Sequence, residues 1–179
     1  MEDYSGIVDA VLRDRELLKK LRPTEVSDTA KLLKIRAASD SELAGGKQVA
    51  NPAMFALVRA GLVYACDALS EGYMIAQGVS GDESACWRGM IDRRRGDFEN
   101  ARDCFRRVGV MPVFDELHRA ASAVSAVVAS QPNWDPYLFT GLCEQEKFGD
   151  YTLRDELLKL QAIEFRVMFD YVWRKSFKP

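Results

Sequence analysis

The sequence predicts an all-α fold in which helical hairpins stack side by side, with flanking helices before and after them to close the core. Three observations lead there. Between the six prolines, apolar residues recur at spacings of three and four rather than alternating. Asn51-Pro52 and Asp135-Pro136 each place a side-chain acceptor before a proline whose missing amide is not needed in the first helical turn. A segment also repeats: DALSEGYMIAQGVSG at 67–81 aligns with GDFENARDCFRRVGV at 96–110. Leu69, Gly72, Ala76 and Val79 correspond to Phe98, Ala101, Phe105 and Val108, each pair 29 residues apart.

In chain order, Ile7, Val8, Val11, Leu12, Leu18 and Leu21 line one face of a first helix that Pro23 must stop. Leu32, Leu33 and Ile35 mark a second helix over Ser27 to Ala38. The small, polar stretch SDSELAGGKQVA at 39–50 reads as an internal linker. Asn51-Pro52 then opens the first hairpin, and the same offset places Ala60 on Gly89 and Leu62 on Ile91. Ser80-Gly81-Asp82-Glu83 has capping-box spacing and opens a helix to about Arg95, which Gly96 closes; Asp97 caps its successor. From Pro112, Val113, Phe114, Leu117, Ala120, Ala121, Val124 and Val128 form a further stripe. A long last helix from Thr152 to about Phe177 carries Leu153, Leu157, Leu160, Met168, Tyr171 and Val172. Repeat units bury their apolar faces only against neighbours, so the flanking helices must complete the core. The chain therefore reads as one domain over 1–179: N-terminal helices and linker at 1–50, two repeat-like hairpins at 51–110, and C-terminal helices at 111–179.

Composition narrows the function classes. With 179 residues, 47% of them hydrophobic, the chain is long enough for a sizeable core. Lys and Arg total 25 against 27 Asp and Glu, and basic residues do not interleave with aromatics, so neither nucleic acid nor an anionic membrane is expected as a partner. The opening MEDYSGIVDAVLRDREL is acidic where a secretory leader needs a basic start, and Arg59 interrupts the most apolar stretch, so a cytoplasmic location is expected. Cys66, Cys86, Cys104 and Cys143 never reach CxxC spacing and read as reduced, buried thiols. His118 has no second ligand in metal spacing. Gly45-Gly46-Lys47-Gln48 lacks the earlier Gly and following Ser or Thr of a phosphate loop. No catalytic, metal-binding or cofactor motif is found.

Gly89, the GDF of 96–98, Ala101 and Phe105 resemble a tetratricopeptide unit. More broadly, CWRGMIDRRRGDFENARDCFRRVG at 86–109, PVF at 112–114 and WDPYLFTGLCE at 134–144 are similar to a group of uncharacterised bacterial tetratricopeptide-like proteins, over roughly the second two-thirds of the chain. The resemblance implies a right-handed α-α superhelix of hairpins. It supplies no reaction: the group commonly carries histidines where this chain has Arg88 and Asp92, and a glutamate where it has Arg95.

Seven arginines fall between 88 and 107, interleaved with Asp92, Asp97, Glu99 and Asp103, and they read either as a solvated face or as an anion-binding surface. At 100° per residue, Arg93 sits beside Cys86 and Met90, off the core stripe, on the side that commonly lines a tetratricopeptide groove. Guanidinium forks suit carboxylate and phosphate. The expected role is therefore a scaffold whose groove, formed by Arg93 with Arg88, Arg94 and Tyr137, holds a protein or acidic peptide partner. The competing class is an enzyme or small-anion binder (carboxylate or phosphate) with an arginine-lined pocket, and a third is an oligomerisation module. Arg94 shares a face with Trp87 and Ile91, and Glu164 lies in the stripe of Leu157, Leu160 and Met168. Unpaired burial is costly, so these two are expected to pair with each other or with other charges.

Overall fold

The computed structural model describes residues 3–14 and 18–178 and contains eleven helices and no strand among them. Ser5 caps α1 (Gly6–Leu12) by accepting the Val8 amide at 3.2 Å, and the helix buries Val8, Val11 and Leu12. The first helix is shorter than its apolar stripe suggests. Residues 15–17 lie outside the described part, and Leu18 has a left-handed φ of 57°, so the chain has already turned there. Leu18 and Leu21 are buried all the same, from an irregular segment. Asp28 caps α2 (Thr29–Ala37).

The expected linker at 39–50 is partly core. Ser39 and Glu42 form a reciprocal capping box on α3 (Asp40–Leu43), which buries Leu43 and leads into buried Ala44, so this stretch is fastened down rather than free. Next come α4 (Pro52–Ala65), α5 (Leu69–Gln77), α6 (Asp82–Arg95) and α7 (Phe98–Arg106). Asn51 caps α4 through the Met54 amide at 3.2 Å, as its place before Pro52 predicts. The device expected before α6 is different: its N-cap is Gly81 at φ 109°, with no side-chain cap, and Ser80 is exposed. Gly96, left-handed at φ 78°, ends α6 as read.

Each of α4 to α7 packs on its sequence neighbour, and α4 also touches α6. Small residues permit this. A Cβ on Gly89 would stand 2.7 Å from the Phe105 ring, and one on Gly72 would stand 3.3 Å from the Ala60 carbonyl. The chain continues through α8 (Val113–Ser122), the short α9 (Ala126–Ala129), α10 (Pro136–Lys147) and α11 (Arg154–Ser176). The stripe read through Val124 and Val128 is thus broken after Ser122, with Ser125 capping a new helix and Val124 left exposed.

The long terminal helix, α11, organises the core. It packs on α4, α8 and α10, and its rings Phe165, Phe169, Trp173 and Phe177 follow one another at centroid distances of 5.7, 6.5 and 4.9 Å. Tyr64 stacks on Phe165 at 5.6 Å, and Gly61 leaves room for both Phe169 and Trp87. No helix among the described residues is long and apolar enough to cross a membrane.

Candidate functional site

The arginines of α6 divide by their angle around the helix. Arg93, expected off the core stripe, is 2% exposed and faces inward. It makes a two-pronged ion pair with Glu164 of α11, which is itself 1% exposed. Its Cζ lies 4.1 Å from the Phe139 ring centroid and 5.8 Å from that of Phe105. The reason for the correction is tertiary: α11 lies along the side of α6 that the wheel leaves open and covers it. Arg93 therefore lines no open groove. Burial disfavours charge on both partners; the neighbouring carboxylate nonetheless holds the Arg93 guanidinium above its usual pKa.

Arg94 does not pair with Glu164. Its side chain is fully buried and donates to Asp67 Oδ1 at 2.6 Å, to the Lys20 carbonyl at 3.0 Å and to the Tyr64 carbonyl at 3.3 Å. Asp67 adopts a left-handed φ of 62° in the turn between α4 and α5. Arg94 is thus a tie between that turn and the N-terminal segment. Arg88 is half-buried, and its Nε makes no hydrogen bond among the described residues. Tyr137, 38% exposed on α10, lines a cleft with Phe105 and Trp134 that none of the three arginines lines. The four residues expected to share one groove are therefore not assembled into one.

The arginine of α6 that does reach an open surface is Arg95. It donates to Ser70 Oγ at 3.0 Å, lies 3.4 Å from Asp92 and stands over the Tyr73 ring at 5.0 Å. Ser70 belongs to the first turn of α5, and with Arg95, Arg36, Met74, Val26 and Leu69 it lines an open trough of about 700 Å³ between α2 and α5. Met74 is 66% exposed there. Three carboxylates also line the trough, each with a basic neighbour: Asp67 holds Arg94, Glu71 holds Arg36 at 2.6 Å, and Glu25 lies 3.9 Å from Lys20. Ala68, the N-cap of α5, supplies no side-chain cap to the first turn of that helix, whose residues Leu69, Ser70 and Glu71 line the trough.

Arg36 and Met74 were not legible as site residues. Met74 falls outside the stripe of Leu69, Gly72, Ala76 and Val79, which is the one available signal; nothing in the sequence places Arg36 across from it. Nucleophilic chemistry finds no support at the thiols. All four are buried, and burial pushes Cys66 up to about 12 and Cys143 up to about 11. His118 Nε2 lies 3.3 Å from the Val128 carbonyl, and no group of metal-ligating side chains occurs among the described residues. No protein-family model matches the chain, and comparisons with curated proteins and with solved structures gave no significant match.

Proposed function

We propose that the chain is a tetratricopeptide-like helical-repeat scaffold that holds a segment of another protein, and that the trough between α2 and α5 receives it. The repeat reading is supported by the two successive hairpins, α4–α5 and α6–α7, with a small residue at each crossing. The observation that carries the functional reading is the trough itself, whose lining combines exposed Met74 with Arg36 and Arg95. Methionine adapts its shape to an apolar anchor, and arginine presents a fork to a carboxylate. Arg36 is half-exposed in its pair with Glu71, and exposed ion pairs contribute only about 0–1 kcal/mol, so an incoming carboxylate can replace Glu71 there at small cost; Arg95 keeps its long 3.4 Å contact with buried Asp92, and its partly exposed guanidinium has further donors for a second carboxylate.

The same lining favours a protein segment over a lone small anion. A free phosphate would meet three carboxylates in the trough, whereas an extended segment can set an acidic residue on Arg95 and an apolar one on Met74. The test is titration of labelled peptides that place Asp or Glu next to Leu or Phe, against the parent, Arg95→Ala and Met74→Ser, with inorganic phosphate as the comparison. Saturable peptide binding that weakens in both folded variants is the expected result. Unchanged binding by the variants, or phosphate binding as tight as the peptide's, overturns the reading.

A further inference from the structure

A second cleft, remote in chemistry from the trough, lies between α7, α8 and the segment leading into α10. It encloses about 340 Å³, within the size range of small-molecule sites. Four aromatic side chains line it: Phe105, Phe114, Trp134 and Tyr137. Among its lining residues the only charged side chain is Asp135; no Lys, Arg or His lines it. We propose that this cleft binds a small methylated ammonium compound, its cationic head held against Tyr137 and Phe114, the two lining rings that are not almost wholly buried, and its charge met by Asp135.

The construction of the cleft supports that chemistry. Asp135 is the N-cap of α10, and its Oδ1 accepts the Tyr137 amide at 2.8 Å. The cap fixes the carboxylate in place and leaves Oδ2 without a hydrogen-bond partner among the described residues. Pro132 and Pro136 stiffen the backbone on either side of Trp134, whose ring packs edge-on against Phe139 at 5.5 Å. The rings are therefore held before a ligand arrives, which lowers the ordering cost of binding. A cation over such faces is attracted by the ring quadrupoles, more strongly as water is removed. A bare ammonium would give up strong hydration for one carboxylate and the side-chain amides of Gln131 and Asn133. A methylated ammonium is poorly hydrated and fills apolar space, so this lining suits it better. Arg106, next to Phe105 in sequence, is tied to Asp103 at 2.6 Å and does not line the cleft.

The experiment is calorimetric titration of the full chain with choline and tetramethylammonium, and with 3,3-dimethylbutanol, the neutral isostere of choline. It is repeated on Tyr137→Leu, which keeps apolar bulk without the ring, and on Asp135→Asn, which keeps the helix cap without the charge. The expected result is saturable binding of choline, at least about tenfold tighter than the isostere and weakened at least about fivefold in each variant. Absence of saturable binding by either cation, equal affinity for the isostere, or either variant binding choline as tightly as the parent overturns the proposal. Neither variant touches the trough between α2 and α5, so the outcome is independent of peptide binding there.

Discussion

Arg93 of α6 and Glu164 of α11 close on each other through both terminal guanidinium nitrogens and both carboxylate oxygens, with almost none of either side chain exposed. The ring of Phe139 covers the guanidinium face. This bond joins the second repeat-like hairpin to the terminal helix at the centre of the molecule. Its worth lies in pairing: the attraction offsets desolvation only while both partners are present.

Removing one partner should therefore cost far more than removing both. Glu164→Gln leaves a buried guanidinium half-satisfied and is expected to lower unfolding stability by about 3–5 kcal/mol. The double variant Arg93→Met, Glu164→Leu should recover most of that loss. Urea unfolding of the single and double variants measures both quantities; a fully stable Glu164→Gln protein would show that the carboxylate contributes nothing.

Helix contact at glycine gives a graded expectation. Gly89→Ala drives a methyl to 2.7 Å from the Phe105 ring, and Gly61→Ala to 2.8 Å from Phe169 and 2.9 Å from Trp87; each should destabilise by about 1–3 kcal/mol, as overpacking does. Gly141, inside α10, has open space beside it, so Gly141→Ala should stabilise by about 0.5–1 kcal/mol. Thermal melts of the three variants rank them, and a neutral Gly89→Ala would mean that α7 can shift away from α6.

What the sequence made legible was helix content and several boundaries, because these are local. Asn51-Pro52, Asp135-Pro136 and Gly96 act on the backbone within a few residues and mark helix ends in the structure. What it concealed was set by partners far along the chain. Arg93 and Glu164 are seventy-one positions apart in numbering, and the placement of α11, with Phe139 of α10, turns the apparent outer side of α6 into interior. The helical wheel placed Arg94 and Glu164 each at an apolar face, and each is buried and paired, but with Asp67 and Arg93. The trough is assembled from α2, α5 and the end of α6, so no single stretch of sequence carries its signature.

The bond from Lys175 Nζ to Glu83 Oε1, at 2.6 Å, fastens the start of α6 to the end of α11. Partial burial pushes the Glu83 carboxyl up, but Lys175 and the Tyr171 hydroxyl outweigh it and hold the group below its ordinary 4.5. Glu83 itself, as hydrogen-bond partner, holds the Lys175 ammonium above its ordinary 10.5. The acid's contribution is present above the unfolded carboxyl value and is lost as pH falls through the lower folded one. The amine's is present below 10.5 and is lost as pH rises through the higher folded value. Lys175 is 40% exposed, so the stabilisation stays within about 1 kcal/mol. Stability curves of parent and Glu83→Gln should differ between these limits and converge beyond them.

The thiols supply a probe of how tightly α11 closes the core. Burial raises all four, and the Asp92 carboxylate, 3.8 Å from Cys104 Sγ, adds to the effect at Cys104. Attack on a disulfide reagent needs thiolate and access, and the folded protein offers little of either at pH 8. Titration with an aromatic disulfide should therefore consume almost no reagent in buffer and should consume the full complement of four thiols in denaturant. Cys86 lies beneath α11, its Sγ 3.9 Å from Met168 Sδ, so its labelling reports opening of that helix. In Glu164→Gln, where the tie between α6 and α11 is broken, Cys86 should react ahead of Cys66, which sits at the end of α4 away from that contact. Labelling of Cys86 and Cys66 at equal rates would instead show that the variant opens globally, and that the ion pair holds no local hinge between the two helices.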